Sequence, residues 1–179
     1  MRNQSDSYRR ISLRYLMTIR EILLLGNPQL HKVSIDVLRS EVDTLPAIIQ
    51  DLHDTMMEFR KQYGVGRAIA APQIGIMKRI IYMNIDRPQV FINPALTNLS
   101  SEMIELWDDC MCFPDLLVKV KRHRSCTVEY YDEHWESQSL KTENDLSELL
   151  QHEYDHLNGI LATSRAINGN SLSYRNQIH

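Results

Sequence analysis

The chain has few cysteines and no long apolar run, and each absence excludes a class of protein. Three cysteines occur in 179 residues, which is too few for the disulfide framework of a small secreted domain, so we expect a reducing compartment. No apolar segment approaches the roughly 18 residues that a membrane-spanning helix needs. The sequence therefore predicts a protein with no membrane partner.

The charge of the chain is nearly balanced. The 20 basic and 23 acidic residues give a net charge of −3, and no basic cluster indicates a nucleic-acid partner. Residues 1–16 are rich in arginine, and we expect them to be an N-terminal extension or a misassigned start. Residues 17–179 then form a single cytoplasmic domain, or an organellar one if residues 1–16 act as a transit peptide.

Apolar spacing predicts helices on either side of a block of strands. Helical periodicity runs from about residue 45 to residue 63 and stops at Gly64. Strand-like segments cover residues 79–85, 89–92, 116–120 and 126–131, with Pro88, Pro94 and Pro114 as breaks. The predicted fold class is α+β, with mostly antiparallel sheets packed around a central HExxH helix.

The most informative segment is HEYDH, which contains His152, Glu153 and His156. On a helix, residues four apart share one face, so both imidazoles can reach one metal ion. Leucines at helical spacing upstream support the helix, and Thr142 or Asn144 is a suitable cap. Glu153 is placed to handle protons at a metal-bound water, which indicates hydrolytic chemistry.

The most plausible third ligand is Cys110. A thiolate with two imidazoles leaves a fourth position open for water, as a catalytic site requires. Cys112 permits an alternative, because residues two apart in an extended strand point to the same side. Cys110, Cys112, His152 and His156 would then form a closed structural zinc site in a non-catalytic protein. Otherwise Cys112 is a small buried hydrophobe.

Three segments in this order and spacing carry a resemblance to a known family. They are AAPQ at residues 70–73, the cysteine segment that ends at Pro114, and HEYDH at residues 152–156. Together they resemble peptide deformylases over roughly residues 19–162. The resemblance implies hydrolysis of the N-formyl group from formyl-methionine at the start of nascent polypeptides. It also implies a formylated peptide as substrate and the ribosome as a partner.

The resemblance further implies a role for each motif residue. One divalent ion, ferrous iron in the most active form and zinc or nickel as substitutes, would be held by Cys110, His152 and His156. Metal-bound hydroxide would attack the formyl carbon, with Glu153 passing a proton to the leaving amine. Gln73 and the backbone N–H of Met111 would stabilise the oxyanion.

The chain departs from the usual family pattern where substrate is expected to bind. The first segment reads Gly66-Arg67-Ala68, with an arginine in an apolar position and an alanine for a glycine, and Asp109 replaces the glycine before Cys110. We expect Gly66, Arg67, Ala68 and Asp109 to contact substrate, Ala68 through its N–H if its φ is negative. Arg67 would pair with Asp109, pair with a substrate carboxylate, or face solvent. A different N-acyl substrate is therefore an alternative.

Overall fold

The computed structural model describes residues 19–178, so the predicted extension at residues 1–16 lies outside the described residues. The described chain forms two α-helices, α1 (Leu45–Tyr63) and α2 (Asn144–Leu157). Its strands are β1 (Ala68–Ala70), β2 (Ile80–Asn84), β3 (Pro88–Thr97), β4 (Met103–Asp109), β5 (Leu116–His123), β6 (Ser125–Tyr131), β7 (Ser137–Glu143) and β8 (Leu172–Tyr174). Neither helix within these residues has the length and apolar character needed to cross a membrane.

The strands form two antiparallel sheets with α2 between them. One sheet has the order β1-β2-β3-β6-β7, and the other has the order β4-β5-β8. Helix α2 packs against β1, β6 and β7 of the larger sheet and against β5 of the smaller one. The predicted α+β class, with antiparallel sheets around the HExxH helix, is confirmed.

Helix α1 covers the larger sheet through an apolar face. Leu52, Met56 and Phe59 follow one another at helical spacing, and all three are buried. Burial of such side chains stabilises the fold by about 1.5–3 kcal/mol each. The helix ends at Gly64, whose φ of 72° lies in the left-handed region that favours glycine. The predicted end of this helix is therefore correct.

Helix α2 places the HEYDH segment in the interior. Leu149, Leu150 and Leu157 pack into an apolar cluster with the larger sheet. The prediction of a Thr142 or Asn144 cap is wrong: the capping position is Glu143, which makes no side-chain capping bond. Thr142 instead belongs to β7, where its hydroxyl donates to the Cys126 carbonyl at 3.0 Å. Packing, more than capping, stabilises this helix.

Strand β3 runs through a proline that was predicted to end it. Its first half pairs with β2 and its second half pairs with β6, with a shift in register between Ile92 and Ala95. Pro94 lies at this irregularity, next to Asn93 with a φ of 49°. A proline is tolerated at a bulge because no ladder hydrogen bond is required of it there.

Candidate metal centre

Three buried donor atoms meet where α2 passes the end of β4. Cys110 Sγ lies 3.2 Å from His156 Nε2, and His156 Nε2 lies 3.2 Å from His152 Nε2. All three donors lie within 4.8 Å of one another. The fold thus brings together the predicted ligands, two from one face of α2 and one from the residue after β4.

The donor set fits a tetrahedral metal ion with one open position. Bonds of about 2.0–2.3 Å place tetrahedral donors roughly 3.3–3.7 Å apart, close to the separations found here. Burial lowers the pKa of His156 well below its ordinary value, which keeps this imidazole neutral and its lone pair available. Burial also raises the pKa of the Cys110 thiol well above its ordinary value. A cation is the group that would stabilise its thiolate.

Asp108 lies behind His152 and orients its ring. Its Oδ1 is 2.8 Å from His152 Nδ1, although the ring N–H is not aligned for an ideal hydrogen bond. Burial disfavours the charged imidazole, but the carboxylate outweighs burial and raises the pKa of His152 to about 10. A carboxylate in this position can hold the Nδ1 proton while Nε2 faces the other donors.

A line of alternating charges connects this carboxylate to the surface. Arg122 Nη2 donates to Asp108 at 2.8 Å, and its Nη1 donates to Asp155. Asp155 also accepts from Arg165 at 2.7 Å. Burial raises the pKa of Asp108, but His152 and Arg122 outweigh it and lower that pKa to about 2. The sequence analysis missed Asp108, although it lies two residues before Cys110 and so on the same side of an extended chain.

Glu153 lies in the same interior with one oxygen free. Its side chain is buried, and within residues 19–178 no group hydrogen-bonds its Oε2. Burial raises the pKa of Glu153 to about 7, in spite of the opposing effect of His152. A carboxyl group with a near-neutral pKa is suited to both accept and donate a proton.

Gln73 points its amide nitrogen at the sulfur atoms of the site. Its Oε1 accepts from the Ala70 N–H at 2.7 Å, which fixes the orientation of the amide. Its Nε2 then lies 3.7 Å from Cys110 Sγ and 3.6 Å from Cys112 Sγ. The Met111 N–H, in contrast, donates to no acceptor in the described part of the chain. Two donors are thus available beside the predicted ligands.

Cys112 lies outside the group of three donor atoms. It is 1% exposed and packs in an apolar cluster with Phe113 and Val118. The donor cluster that contains Cys110 within residues 19–178 has three members and excludes Cys112. Cys112 is therefore buried, as predicted, and lies outside the group of three donors, while its Sγ lies 3.6 Å from Gln73 Nε2.

A cavity of about 400 Å³ opens beside the three donors. The four residues predicted to contact substrate all line it, namely Gly66, Arg67, Ala68 and Asp109. Gln73, Met111 and Glu153 line the same cavity. Ala68 is not among the described residues with positive φ. The condition under which its N–H was expected to contact substrate is therefore met. Gly66 has a φ of 128°, in the region that favours glycine.

Arg67 has partners that the sequence did not indicate. Its guanidinium lies 3.0 Å from Asp145 and 3.3 Å from Glu148, whereas Asp109 pairs with Arg175 at 2.7 Å. The suggested Arg67–Asp109 pair is therefore wrong. Burial, with Asp108 nearby, raises the pKa of Glu148 to about 7. The sequence analysis missed Glu148, although it lies four residues before His152 and so on the same helix face.

An HExxH helix with a nearby cysteine, beside an open cavity, defines a metal-dependent hydrolase. The family model described as polypeptide deformylase matches residues 19–171. A peptide deformylase from Rhizobium meliloti is 36% identical over 151 residues, which are 81% of this chain and 83% of that protein. One from Pseudothermotoga lettingae is 38% identical over 143 residues, which are 80% of each chain.

Solved structures agree with the sequence comparison. The peptide deformylase of Synechococcus elongatus, crystallised with actinonin, superposes with a TM-score of 0.78 at 29% identity, over 86% of this chain and 82% of that one. The Thermotoga maritima enzyme gives a TM-score of 0.77 at 28% identity, over 84% and 99%. The chain therefore belongs to the polypeptide deformylase family. Its reaction is the metal-dependent removal of the N-formyl group from formyl-methionine.

Proposed function

We propose that Cys110, His152 and His156 hold one divalent ion, and that Glu153, Gln73 and Met111 carry out the chemistry around it. The observation that supports this assignment is the 3.2 Å spacing of the donors. These donors lie beside a cavity that Glu153, Gln73 and Met111 also line.

Ferrous iron is the ion we propose, with zinc or nickel able to replace it. A mixed set of one sulfur and two nitrogen donors suits all of these ions, so the preference for iron depends on the family resemblance. When bound, the ion makes a nucleophile available near neutral pH by lowering the pKa of water, and it polarises the formyl oxygen.

Glu153 moves the proton that this reaction must transfer. Its buried Oε2, which no described group hydrogen-bonds, is available to take a proton from water. The same carboxyl group then gives the proton to the nitrogen of the departing amine, which leaves as a free N-terminus. The near-neutral pKa of Glu153 permits both steps without a large energetic penalty.

Gln73 and Met111 stabilise the negative charge that forms on the formyl oxygen. The Gln73 amide is held by Ala70, which fixes its orientation before the reaction. The Met111 N–H is the second donor. Loss of one such donor typically raises the barrier by about 2.7–4 kcal/mol.

The substrate is a formylated peptide that lies along the cavity beside Gly66, Ala68 and Asp109. A structurally similar enzyme from Acinetobacter baumannii was crystallised with Met-Ala-Ser bound, at 28% identity and a TM-score of 0.77. We propose formyl-Met-Ala-Ser as a substrate of this chain for that reason. Ala68 lines the cavity although only 3% of the residue is exposed.

The cellular setting follows from this substrate. We propose that residues 17–179 act as a single domain in the cytoplasm, on nascent chains as they leave the ribosome. The three cysteines are free and buried, which is compatible with a reducing compartment.

The test is release of formate from formyl-Met-Ala-Ser by protein loaded anaerobically with iron. Glu153→Gln keeps the size of the side chain and removes its acid-base function, so we expect at least about a 100-fold loss of kcat. Metal analysis should still find one ion per chain in this variant. Cys112→Ser is the matched control, because this residue lies beside the site without being a ligand, and it should retain its metal and its activity.

Two results would contradict the proposal. Full turnover by Glu153→Gln would remove Glu153 from the mechanism. Loss of the ion from Cys112→Ser, with no formate released by the parent protein, would instead restore the structural zinc site.

A further inference from the structure

The wall of the cavity beside the donors carries a half-buried ion pair, in which the Arg67 side chain is 38% exposed. Glu148 has a side chain that is 8% exposed, and its carboxylate lies 3.3 Å from Arg67 Nη2. A carboxylate oxygen of Glu148 also lies within 4.8 Å of a ring nitrogen of His152. Both Arg67 and Glu148 line the cavity. This pair therefore lies within one side chain's length of the place where the proposed function requires the formyl group.

The covalent structure of the substrate keeps its first side chain within reach of the same wall. In an N-formyl amino acid the formyl carbon is joined to Cα through one nitrogen, so these two carbons are roughly 2.4 Å apart. A side chain of methionine's length extends only a few bonds farther. Two charged pairs line the described cavity. Arg67 and Glu148 form the pair beside the donors, whereas the other pair, Arg175 and Asp109, is more exposed, with 42% of the Asp109 side chain accessible.

Such a wall treats apolar and polar side chains differently. An apolar side chain packed against Arg67 and Glu148 removes water from both charges and returns no hydrogen bond. A side-chain amide can accept from the guanidinium through its oxygen and donate to the carboxylate through its nitrogen. A second acid would face Glu148 and the nearby Asp108, and a cation would compete with Arg67. A neutral amide matches both charges.

We infer that Arg67 and Glu148 determine side-chain specificity, and that the site prefers a neutral hydrogen-bonding first side chain of methionine's length over an apolar one. Glutamine is the amino acid of this class, and norleucine is its apolar counterpart. Methionine, whose thioether is a weak acceptor, ranks between them and remains a substrate. This inference depends on the proposed function, because it assumes that the formyl group reacts beside the three donors.

The experiment compares formyl-Gln-Ala-Ser, formyl-Met-Ala-Ser and formyl-norleucyl-Ala-Ser with the iron-loaded protein. Since hydrogen bonds to charged groups are gained with one substrate and missing with the other, kcat/KM for the glutamine peptide should exceed that for the norleucine peptide by about tenfold. The double variant Arg67→Met, Glu148→Met replaces both charges together and leaves neither one unpaired. It should reverse the order and favour norleucine.

Asp145→Asn is the matched control. Asp145 contacts Arg67 at 3.0 Å, but its side chain is 92% exposed and it does not line the cavity. This variant removes a partner of Arg67 without changing the wall, so the ratio of the two kcat/KM values should stay as in the parent protein. A change as large as that of the double variant would overturn the inference.

The outcomes separate this inference from the proposed function. Turnover of all three peptides, with norleucine equal to or better than glutamine in the parent protein, refutes the inference alone. Absence of formate release from every formyl peptide, with the ion bound, refutes the proposed function and the inference together. If the double variant does not fold, as judged by circular dichroism, the ratio in the parent protein decides.

Discussion

The buried arginine between Asp108 and Asp155 gives the sharpest prediction about stability. Arg122 has a side chain that is 4% exposed, and its two carboxylate partners are 1% and 7% exposed. It also links β5 to the last residues of β4 and to α2. Replacement by methionine preserves much of the volume and removes the charge. Asp155 then retains Arg165, but Asp108 loses its only arginine among residues 19–178.

The magnitude follows from the burial of the remaining charge. Removing one partner of a buried ion pair costs about 3–5 kcal/mol, because the other charge stays buried without compensation. Asp108 still lies 2.8 Å from His152, so we expect the lower part of this range, about 3 kcal/mol. For a chain of this length, the loss corresponds to a fall in Tm of about 6–12 °C.

Arg165→Met is the matched control for this prediction. Arg165 contacts the same Asp155 at 2.7 Å, but its side chain is 46% exposed, so its loss should cost no more than about 1 kcal/mol. The assay is urea denaturation of the parent protein and both variants after removal of bound metal, so that metal affinity does not contribute. If the free energies of unfolding of the two variants agreed within error, the argument from burial would be refuted.

Three further predictions concern catalysis, backbone strain and the ion. Gln73→Leu should lower kcat by about 100-fold or more with the metal retained, since one oxyanion donor is lost; an unchanged kcat in the formate assay would exclude Gln73 from this role. Gly159→Ala should destabilise the protein more than Gly64→Ala in thermal denaturation. Both glycines have φ near 70°, which costs an alanine about 1–2 kcal/mol, but only at Gly159 would the added Cβ meet a backbone atom, His31 O at 2.5 Å. Equal costs would show that the chain relaxes around this contact. Removal of the ion by a chelator should abolish turnover and lower Tm, since an ion present at 100 times its Kd stabilises the fold by about 2.7 kcal/mol. This shift in Tm should vanish in Cys110→Ser. If the shift persisted in that variant, the ion would bind elsewhere.

Much of the site was predictable because its residues lie in short segments. His152 and His156 share a helix face wherever the helix lies, and the apolar spacing around them made the helix itself predictable. Cys110 as third ligand and Gln73 as oxyanion donor agree with the donor geometry that the fold produces. These interpretations remain proposals until the variants are measured.

The burial of Asp108 was not predictable, because β4 reverses the usual alternation of buried apolar and exposed polar residues. Strand β4 exposes Trp107 and buries Asp108, at 37% and 2% exposure, which is the reverse of the alternation that marks a strand on the surface of a core. The carboxylate is buried only because His152 and Arg122, distant in sequence, surround it. No pattern within β4 contains that information.

By itself, the sequence determined the α+β class, the HExxH helix and the three segments of the site, because periodicity and spacing are local properties. Only the tertiary structure decided which charges are paired. It placed Arg67 against Glu148 and Asp145 instead of Asp109, and it left Cys112 outside the group formed by Cys110, His152 and His156. The physical reason is that ion pairs and burial depend on atoms brought together by packing, from residues 78 and 81 positions apart in the case of Arg67.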